Sequence, residues 1–381
     1  MSAAPKHRAP LRVLHVASGD LWFGAEAQMC ALLSELQTRS DVTVAAAVMN
    51  PGELMQRLKN ADVEVFAFDE STQNGLQILT QLRHVMRTWR ANIVHTHRQK
   101  ENVLGALAAW TLNIPSLRTV HGAAEHHVSR WQLHKLHKRL FVAADHLVAK
   151  HLQYCSVAVT DDLAAQLRST QTRARIETIN NGVDVAMVRK VAALGLIARP
   201  TPPPWQIAIV GRLAPVKRVD LFIAMAEQVV AQCPGAHVFH IIGDGPDRAT
   251  LLAQAQRGAA RHMIKFHGFQ RDILPLMASM HALVNTSDHE GLPITALEAL
   301  ALDVKVIARA VGGLVPLLAQ TDNALLVNSK DPREFATALL SALPPTPGPS
   351  SSAAFAPVPE AYTLRASVDR YLSLYTQIQG K

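Results

Sequence analysis

Two glutamates, Glu290 and Glu298, lie on either side of a segment whose residues predict the start of a helix. Gly291 permits an unusual backbone conformation, and Pro293 suits the first turn of a helix. Apolar residues then recur at helical spacing, which predicts a helix over 293–302 with a buried apolar face. The sequence therefore places Glu290 just before a helix N-terminus and Glu298 one to two turns inside the helix.

The start of this helix has the chemistry of an anion site. Its first N–H groups have no partner within the helix and lie at the positive end of the helix dipole, which suits a diphosphate. Carboxylates repel phosphates, so Glu290 and Glu298 are better suited to accept hydrogen bonds from sugar hydroxyls, at a separation of up to about 12 Å. This combination predicts a nucleotide sugar. Two glutamates at this spacing also occur as ordinary, partly exposed residues, so the prediction depends on the rest of the chain.

A pair of cations follows another predicted strand. Strand 206–210 leads into Gly211 and Arg212, and Lys217 comes shortly afterwards. A guanidinium and an ammonium group can neutralise charge on a leaving nucleoside diphosphate without a metal ion. Cations beside a strand are also common on protein surfaces, but their place after the first strand of a domain favours phosphate binding.

Glycine turns follow three further predicted strands, at Gly243, at Gly268 and at Gly312. Glycine lets the backbone turn sharply and approach a ligand closely. The turn at Gly243 is not a dinucleotide-binding fingerprint, because Arg248 occupies the position of the third glycine.

The first half of the chain shows the same order of elements. A buried strand is predicted at 11–17, followed by a loop and by a helix over 24–36 that begins at Gly24. A second strand, 115–121, ends in His121, and ligands of open α/β sheets bind at the carboxyl ends of the strands. A plain strand–helix connection at Gly24 and an ordinary loop histidine at position 121 stay open as alternatives.

These segments together resemble the retaining glycosyltransferases of the GT-B fold, family 4. Glu290 and Glu298 match the Glu-x7-Glu signature of that family, and the residues from Gly211 to Lys217 match its Gly-Arg-Leu…Lys segment. The resemblance covers 11–343. It departs from the family at Phe23, which stands in place of the first glycine of the N-terminal loop.

The resemblance implies an α/β GT-B fold, in which two Rossmann-like, doubly wound domains face a central cleft. It implies that Arg212 and Lys217 hold the donor diphosphate, that Glu290 holds the donor sugar, that Glu298 holds the ribose, and that His121 lines the cleft near the transferred sugar. The predicted catalytic residues are His121, Arg212, Lys217 and Glu290. The predicted donor-binding residues are Gly24, Gly211, Arg212, Lys217, Gly243, Gly268, Phe269, Glu290, Gly291, Leu292, Pro293 and Glu298.

Length and composition agree with a two-domain globular protein. The chain has 381 residues, of which 49% are hydrophobic and 18% are charged. A chain of this length is longer than a single hydrophobic core ordinarily supports. The expected segments are a disordered N-terminus (1–10), an acceptor-side domain (11–198), a hinge (199–204), a nucleotide-sugar domain (205–343), a Pro/Ser/Ala-rich linker (344–360) and a C-terminal helix that crosses back to the first domain (361–381).

The location expected from the sequence is the cytoplasm. Three widely spaced cysteines indicate neither a disulfide framework nor a zinc knuckle, and the N-terminus has no apolar run of a signal peptide. No uncharged apolar stretch is long enough to cross a bilayer.

Seven histidines occur over 121–151, but a tight ligand motif such as HExxH is missing there. We therefore expect no metal site and no cofactor.

The net charge of +8 indicates anionic partners. Aromatic residues make up only 5% of the chain, and the common nucleic-acid motifs do not occur, so nucleic acid is not expected. The basic segment 126–141 carries Trp131, which favours either contact with an anionic membrane surface, on the inner face of the plasma membrane, or a solvated basic helix. The oligomeric state stays open.

The predicted function is transfer of a sugar from a nucleoside-diphosphate sugar, of the UDP type by family frequency, to a hydroxyl of a glycan or lipid-linked acceptor. Such a reaction would serve the synthesis of cell-surface polysaccharide, lipopolysaccharide or glycolipid. The alternatives are a sugar-nucleotide epimerase and a non-catalytic protein that binds a sugar nucleotide or a lipid on the same fold.

Overall fold

The computed structural model describes residues 10–20, 22–122, 136–171, 174–194, 199–344 and 358–380. The chain forms two compact units: Met1–Asn181 together with Leu364–Lys381, and Gly182–Thr363. The predicted disordered N-terminus, most of the basic segment with Trp131, and most of the Pro/Ser/Ala-rich linker lie outside the described residues.

The first unit is built on a parallel sheet. Its strands are β1 (Leu11–Ser18), β2 (Val42–Met49), β3 (Glu64–Phe68), β4 (Ile93–His97), β5 (Ser116–Val120), β6 (Cys155–Ala158) and β7 (Ile176–Thr178). The helices that connect them are α1 (Gly24–Gln37), α2 (Glu53–Asn60), α3 (Gly75–Thr88), α4 (Gln99–Trp110), α5 (Leu136–His151) and α6 (Asp161–Thr170). The strand order is β3-β2-β1-β4-β5-β6-β7, so the direction of winding reverses between β1 and β4.

The central strands of this sheet are buried on both faces. Leu14 and Val16 of β1 pack into one hydrophobic core, and Val13 and Ala17 pack into the core on the other side. A strand covered by helices on both faces needs apolar residues at nearly every position, which explains the continuous run in β1.

The second unit repeats this plan. Its strands are β8 (Trp205–Val210), β9 (His237–Ile242), β10 (Ile264–Gly268), β11 (Ala282–Asn285), β12 (Lys305–Arg309) and β13 (Ala324–Val327). Its helices are α7 (Val185–Leu194), α8 (Val219–Gln232), α9 (Arg248–Arg257), α10 (Leu274–Ala278), α11 (Ile294–Ala301), α12 (Leu314–Leu318) and α13 (Pro332–Ala342). The parallel order β10-β9-β8-β11-β12-β13 reverses between β8 and β11.

The boundary between the two units lies at a different position in the chain from the one that the sequence pattern predicts. The predicted first domain ends at residue 198, whereas α7 belongs to the second unit. Val188 and Ala192 are buried in the core that contains α11, and the Arg189 guanidinium donates to the carbonyl of Ala301. The predicted hinge begins with Arg199, which donates to three carbonyls of the second unit, so this segment is part of that unit.

The last helix, α14 (Leu364–Gln379), belongs to the first unit. Tyr371, Leu374 and Tyr375 are buried in the same core as residues of α1. The side chain of Asp369 accepts a hydrogen bond from Arg39 at 2.7 Å.

Among the described residues, no helix has both the length and the apolar character needed to cross a membrane.

Candidate functional site

Glu290 is the centre of a buried polar cluster in the second unit. Its Oε1 accepts hydrogen bonds from Lys217 Nζ at 2.7 Å, from Asn285 Nδ2 at 3.1 Å and from Ser287 Oγ at 2.6 Å. The side chain is only 8% exposed. Its other oxygen, Oε2, receives no hydrogen bond from the described residues. One oxygen is thus held by three protein donors, whereas none of the described residues donates to the other.

The charge of Glu290 follows from these contacts. Burial alone would raise the pKa of Glu290, but the charge of Lys217 and the hydrogen bonds from Lys217, Ser287 and Asn285 together lower it below its ordinary value. Glu290 is therefore ionised at neutral pH and can accept hydrogen bonds from hydroxyl groups.

Two loops meet here because β8 and β11 are neighbours in the sheet. The Thr286 hydroxyl donates to the carbonyls of Lys217 and Arg218, at 3.0 and 2.9 Å, and the Asp288 N–H donates to the carbonyl of Val216 at 2.8 Å. The loop that carries Glu290 is thereby fixed to the loop that carries Lys217. This is the point where the winding of the sheet reverses, which is where open α/β sheets bind ligands.

Asp288 anchors the same loop through charge. Its carboxylate pairs with Arg218 at 3.7 Å, with Lys330 at 2.9 Å and with Arg309. Asp288 is only partly buried, so each pair contributes modestly on its own.

Three of the glycines predicted to bind a donor, Gly211, Gly243 and Gly268, lie at the ends of neighbouring strands. Gly211 N–H donates to the carbonyl of Ile242, and Gly243 N–H donates to the carbonyl of Gly268 at 2.8 Å. Gly243 has φ +137°, and a Cβ there would lie 1.9 Å from the Gly211 carbonyl oxygen. Glycine at position 243 is therefore required by the close approach of two backbones.

Gly312 lies against the backbone of Glu290. It has φ +50°, and a Cβ on it would lie 1.9 Å from the Glu290 carbonyl oxygen. The next residue, Gly313, donates its N–H to the carbonyl of Gly291 at 2.8 Å. The turn after β12 thus sets the path of the chain into α11.

Helix α11 carries Glu298. Pro293 is its N-cap residue, and Leu292 and Leu297 are buried in the core. Glu298 itself is half-buried. Burial raises the pKa of Glu298 to about 8, and it has no opposing partner charge, unlike Glu290. The two carboxyl groups therefore differ in protonation at neutral pH.

The remaining predicted donor residues of the second unit lie at the surface. Arg212 is exposed and lines a small cavity together with Lys217, Asn285 and Ser287. Phe269, which follows β10, is 52% exposed. The structure therefore brings Arg212, Lys217 and Glu290 to the ends of two adjacent strands.

Gly24 lies in the first unit, at the first position of α1, and is exposed. Phe23 is the N-cap, and its N–H donates to the buried Glu26 carboxylate at 3.0 Å. Glu26 also pairs with Arg98. Phe23 therefore adopts an extended N-cap conformation that needs no glycine.

His121 lies in the first unit, just after β5, among other histidines. His15 of β1 and His95 and His97 of β4 are buried, and each offers a nitrogen within 4.8 Å of the others. Burial lowers the pKa of His15 to about 3, and burial together with the nearby Arg98 charge lowers the pKa of His121 to about 4. These histidines are therefore neutral at pH 7.

Comparison with known proteins agrees with this arrangement. A family model described as "Glycosyltransferase Family 4" matches residues 23–187, and a model described as "Glycosyl transferases group 1" matches residues 204–344. The chain belongs to glycosyltransferase family 4.

Individual relatives of this family 4 chain differ in the activities that their names state. A 2-deoxystreptamine N-acetyl-D-glucosaminyltransferase of Streptomyces fradiae is 31% identical over 274 residues, which span 67% of this chain and 63% of that relative. A UDP-Gal:alpha-D-GlcNAc-diphosphoundecaprenol alpha-1,3-galactosyltransferase of Escherichia coli is 25% identical over 281 residues, which span 70% of each chain. The match thus leaves more than a third of the first relative uncovered.

Solved structures show the GT-B fold for this family 4 chain. HepE of Anabaena, in complex with UDP and glucose, aligns with a TM-score of 0.74 at 18% identity, over 96% of this chain and 100% of that one.

Several site residues of the family 4 chain carry no obvious sequence signal. Asn285 and Ser287 read as ordinary residues of a polar turn, although both donate to Glu290. The buried histidines were also missed as a group, because His15 and His97 are far apart along the chain. The period-two spacing of His95 and His97 indicates that both lie on one face of a strand, but it does not indicate their partners.

Proposed function

We propose that this chain is a retaining glycosyltransferase that moves a sugar from a nucleoside-diphosphate sugar, of the UDP type, to an acceptor hydroxyl. The donor would bind at the carboxyl ends of β8 and β11. The first unit would form the acceptor side, and His121 would bind near the transferred sugar, as the resemblance to the family implies.

The observation that carries this proposal is the asymmetry of the Glu290 carboxylate. Three protein donors hold Oε1, and the described residues leave Oε2 for a ligand. An ionised carboxylate with one fixed and one available oxygen suits the hydroxyl groups of a sugar, since each hydroxyl can donate one hydrogen bond.

The diphosphate would lie against the glycine turns beside this carboxylate. An ammonium group has three N–H donors, and Lys217 directs one of them to Glu290, which leaves others for phosphate oxygens. Arg212 adds a guanidinium at the same strand end, and the N-terminus of α11 adds its backbone N–H groups. We propose that these groups stabilise the leaving nucleotide without a metal ion or a cofactor.

Glu298 would hold the ribose of the donor. Its carboxyl group sits in a site that disfavours charge, so hydrogen bonds from two ribose hydroxyls would favour the ionised form on binding. We therefore expect donor binding to release a proton from Glu298 near pH 7.

The choice of UDP and of the acceptor follows the relatives. The HepE structures contain UDP, and the E. coli relative carries UDP-Gal and a lipid-linked diphosphate in its name. We propose a glycan or lipid-linked acceptor, in the synthesis of cell-surface polysaccharide, lipopolysaccharide or glycolipid.

We propose that the protein works in the cytoplasm, in contact with the anionic inner face of the plasma membrane. The basis is the basic segment 126–141 with Trp131, together with the net charge of +8. Co-sedimentation with vesicles of anionic lipid, lost at high salt and absent with neutral lipid, is the expected result; equal binding to neutral vesicles would contradict it.

The experiment that tests the proposed activity begins with a thermal-shift panel of UDP-, GDP- and ADP-sugars, since a ligand of the native state raises the Tm. The sugar that stabilises the protein is then supplied with lipid-linked and glycan acceptors, and products are analysed. We expect transfer by the wild type and by Glu334→Gln, which alters an exposed glutamate of the same unit, and loss of transfer in Glu290→Gln.

Other outcomes of this experiment would contradict the proposal. Conversion of the free donor to an isomer without any acceptor would identify an epimerase. Binding of a sugar nucleotide without turnover on any acceptor, unaffected by Glu290→Gln, would indicate a binding protein.

A further inference from the structure

Three histidines of the first unit form a hydrogen-bonded row that ends at His121. His15 Nδ1 lies 3.1 Å from His97 Nε2, and His97 Nδ1 lies 3.2 Å from His121 Nε2. A neutral imidazole carries one N–H, so each of these hydrogen bonds needs a protonated nitrogen on one side and a lone pair on the other. The direction of one bond therefore determines the direction of the next. It also determines whether His121 Nδ1, the last nitrogen of the row, carries a proton.

Hydroxyl groups continue the row on the other side of His15. Tyr375 Oη lies 3.4 Å from His15 Nε2 and 2.7 Å from His95 Nδ1. Thr119 Oγ1 lies 2.8 Å from His95 Nε2 and 2.8 Å from Tyr371 Oη. Each hydroxyl has a single proton, so it uses its O–H within the row only if it donates to one neighbour and accepts from the other. The row then runs from Tyr371 on α14 to the end of β5 with one consistent direction of donation.

The two directions leave different groups unsatisfied at the ends. Tyr371 is buried, and Thr119 is the one hydrogen-bond partner of its hydroxyl among the described residues. If Tyr371 donates to Thr119, each group in turn donates a hydrogen bond to the next group of the row, and His121 Nδ1 carries an N–H. In the opposite direction, the Tyr371 O–H has no acceptor and His121 Nδ1 is a lone pair that receives no proton.

His121 Nδ1 is covered from solvent and has no hydrogen-bond partner within the described part of the chain. The first direction therefore leaves one buried group unsatisfied, and the second leaves two. Because an unsatisfied buried polar group is costly, the first direction is favoured by about tenfold or more.

We propose that Tyr371 and Tyr375 are positioning residues that hold His121 in the tautomer with the proton on Nδ1, so that His121 donates a hydrogen bond to an oxygen of the bound ligand. The identity of that oxygen rests on the proposed function, under which it belongs to a sugar substrate. His121 then acts as a hydrogen-bond donor and not as a base.

A metal ion is the competing use of these nitrogens. Nitrogens of His15, His95 and His97 lie within 4.8 Å of one another. If the facing nitrogens His15 Nδ1 and His97 Nε2 bound an ion, both would need lone pairs, whereas the row needs a proton between them. Both nitrogens of His95 are also engaged by hydroxyls. The geometry therefore favours the hydrogen-bonded row.

The test is nitrogen NMR of protein labelled with ¹⁵N-histidine, without nucleotide, with His121 assigned from the His121→Asn spectrum. We expect a protonated Nδ1 and an unprotonated Nε2 for His121 in the wild type. Tyr375→Phe interrupts the row between His95 and His15, which makes the two directions nearly equivalent, so a mixture of tautomers is expected. Tyr154→Phe removes a hydroxyl that contacts Arg175 outside the row and should leave the wild-type tautomer.

Three results would overturn the proposal: an Nε2–H tautomer of His121 in the wild type, an unchanged tautomer in folded Tyr375→Phe, or stoichiometric zinc or nickel in the purified protein by elemental analysis. The wild-type spectrum decides even if Tyr375→Phe does not fold. Since no sugar nucleotide is present, these results do not depend on whether the protein is a glycosyltransferase.

Discussion

Lys217 Nζ lies 2.7 Å from Glu290 Oε1, and this ion pair joins the turn after β8 to the turn after β11. The two residues are 73 positions apart in the chain. They meet because β8 and β11 are adjacent where the winding of the sheet reverses. Lys217 thus serves two purposes in the proposed site: it keeps a buried carboxylate ionised, and it presents positive charge to the donor diphosphate.

The variant Lys217→Ala tests the first of these purposes. It leaves Glu290 buried without its cation, so we expect the free energy of unfolding to fall by about 2 kcal/mol at pH 7. The pKa of Glu290 should rise, because burial is then opposed only by the hydrogen bonds from Ser287 and Asn285. Urea denaturation measures the stability.

The double variant Lys217→Ala/Glu290→Gln is the control for that experiment. It removes the unpaired charge, so much of the lost stability should return, whereas glycosyl transfer should not. If the double variant is as unstable as the sum of the two single variants, the ion pair is not what stabilises this loop.

The variant Arg212→Ala tests whether Arg212 binds the donor diphosphate. The Arg212 side chain is exposed, so its removal should not prevent folding. We expect Arg212→Ala to fold and to lower kcat by about 10²-fold, which is typical of losing one group that stabilises charge in a transition state. Arg248→Ala changes another exposed arginine of the same unit and should retain activity. Equal rates for both variants would remove Arg212 from the proposed mechanism.

The variant Gly312→Ala tests whether the turn after β12 fixes the backbone that leads from Glu290 into α11. Alanine there must adopt φ near +50° and would place its Cβ 1.9 Å from the Glu290 carbonyl oxygen. Gly235→Ala is the matched control, because Gly235 has φ +75° but nothing lies within 4 Å of its Cβ position. Both variants should lose about 1 kcal/mol from backbone strain. Only Gly312→Ala should also lose donor binding, measured by calorimetry with the donor that the thermal-shift panel selects.

Much of the fold follows from local patterns. The apolar runs of β1 and β8 and the helical spacing after Pro293 depend on residues close together in sequence, so these elements lie within one or two residues of their predicted bounds. Glu290 and the glycine turns were found in the same way. The boundary at residue 198 was misplaced because the contacts that hold α7 to the second unit, such as that of Arg189 with Ala301, are long-range.

The partners within each site could not be read from the sequence for the same reason. The row that ends at His121 joins residues as distant as His15 and Tyr375, 360 positions apart. No periodicity connects such residues, and only the strand order β1-β4-β5 and the packing of α14 bring them together.

Glu298 gives a pH-dependent prediction. Burial raises its folded-state pKa to about 8, above the ordinary value of 4.5. The folded protein therefore holds this proton more tightly than the unfolded chain, so the stability from this group is complete below pH 4.5 and is lost as the pH rises toward 8. Glu298→Gln has no proton to lose. Because Glu298 is partly exposed, we expect the variant to gain on the order of 2 kcal/mol over the wild type between pH 5 and pH 9. Urea denaturation of both proteins without nucleotide measures this difference, and a constant difference across that range would show that Glu298 is ionised in the folded protein as in the unfolded chain.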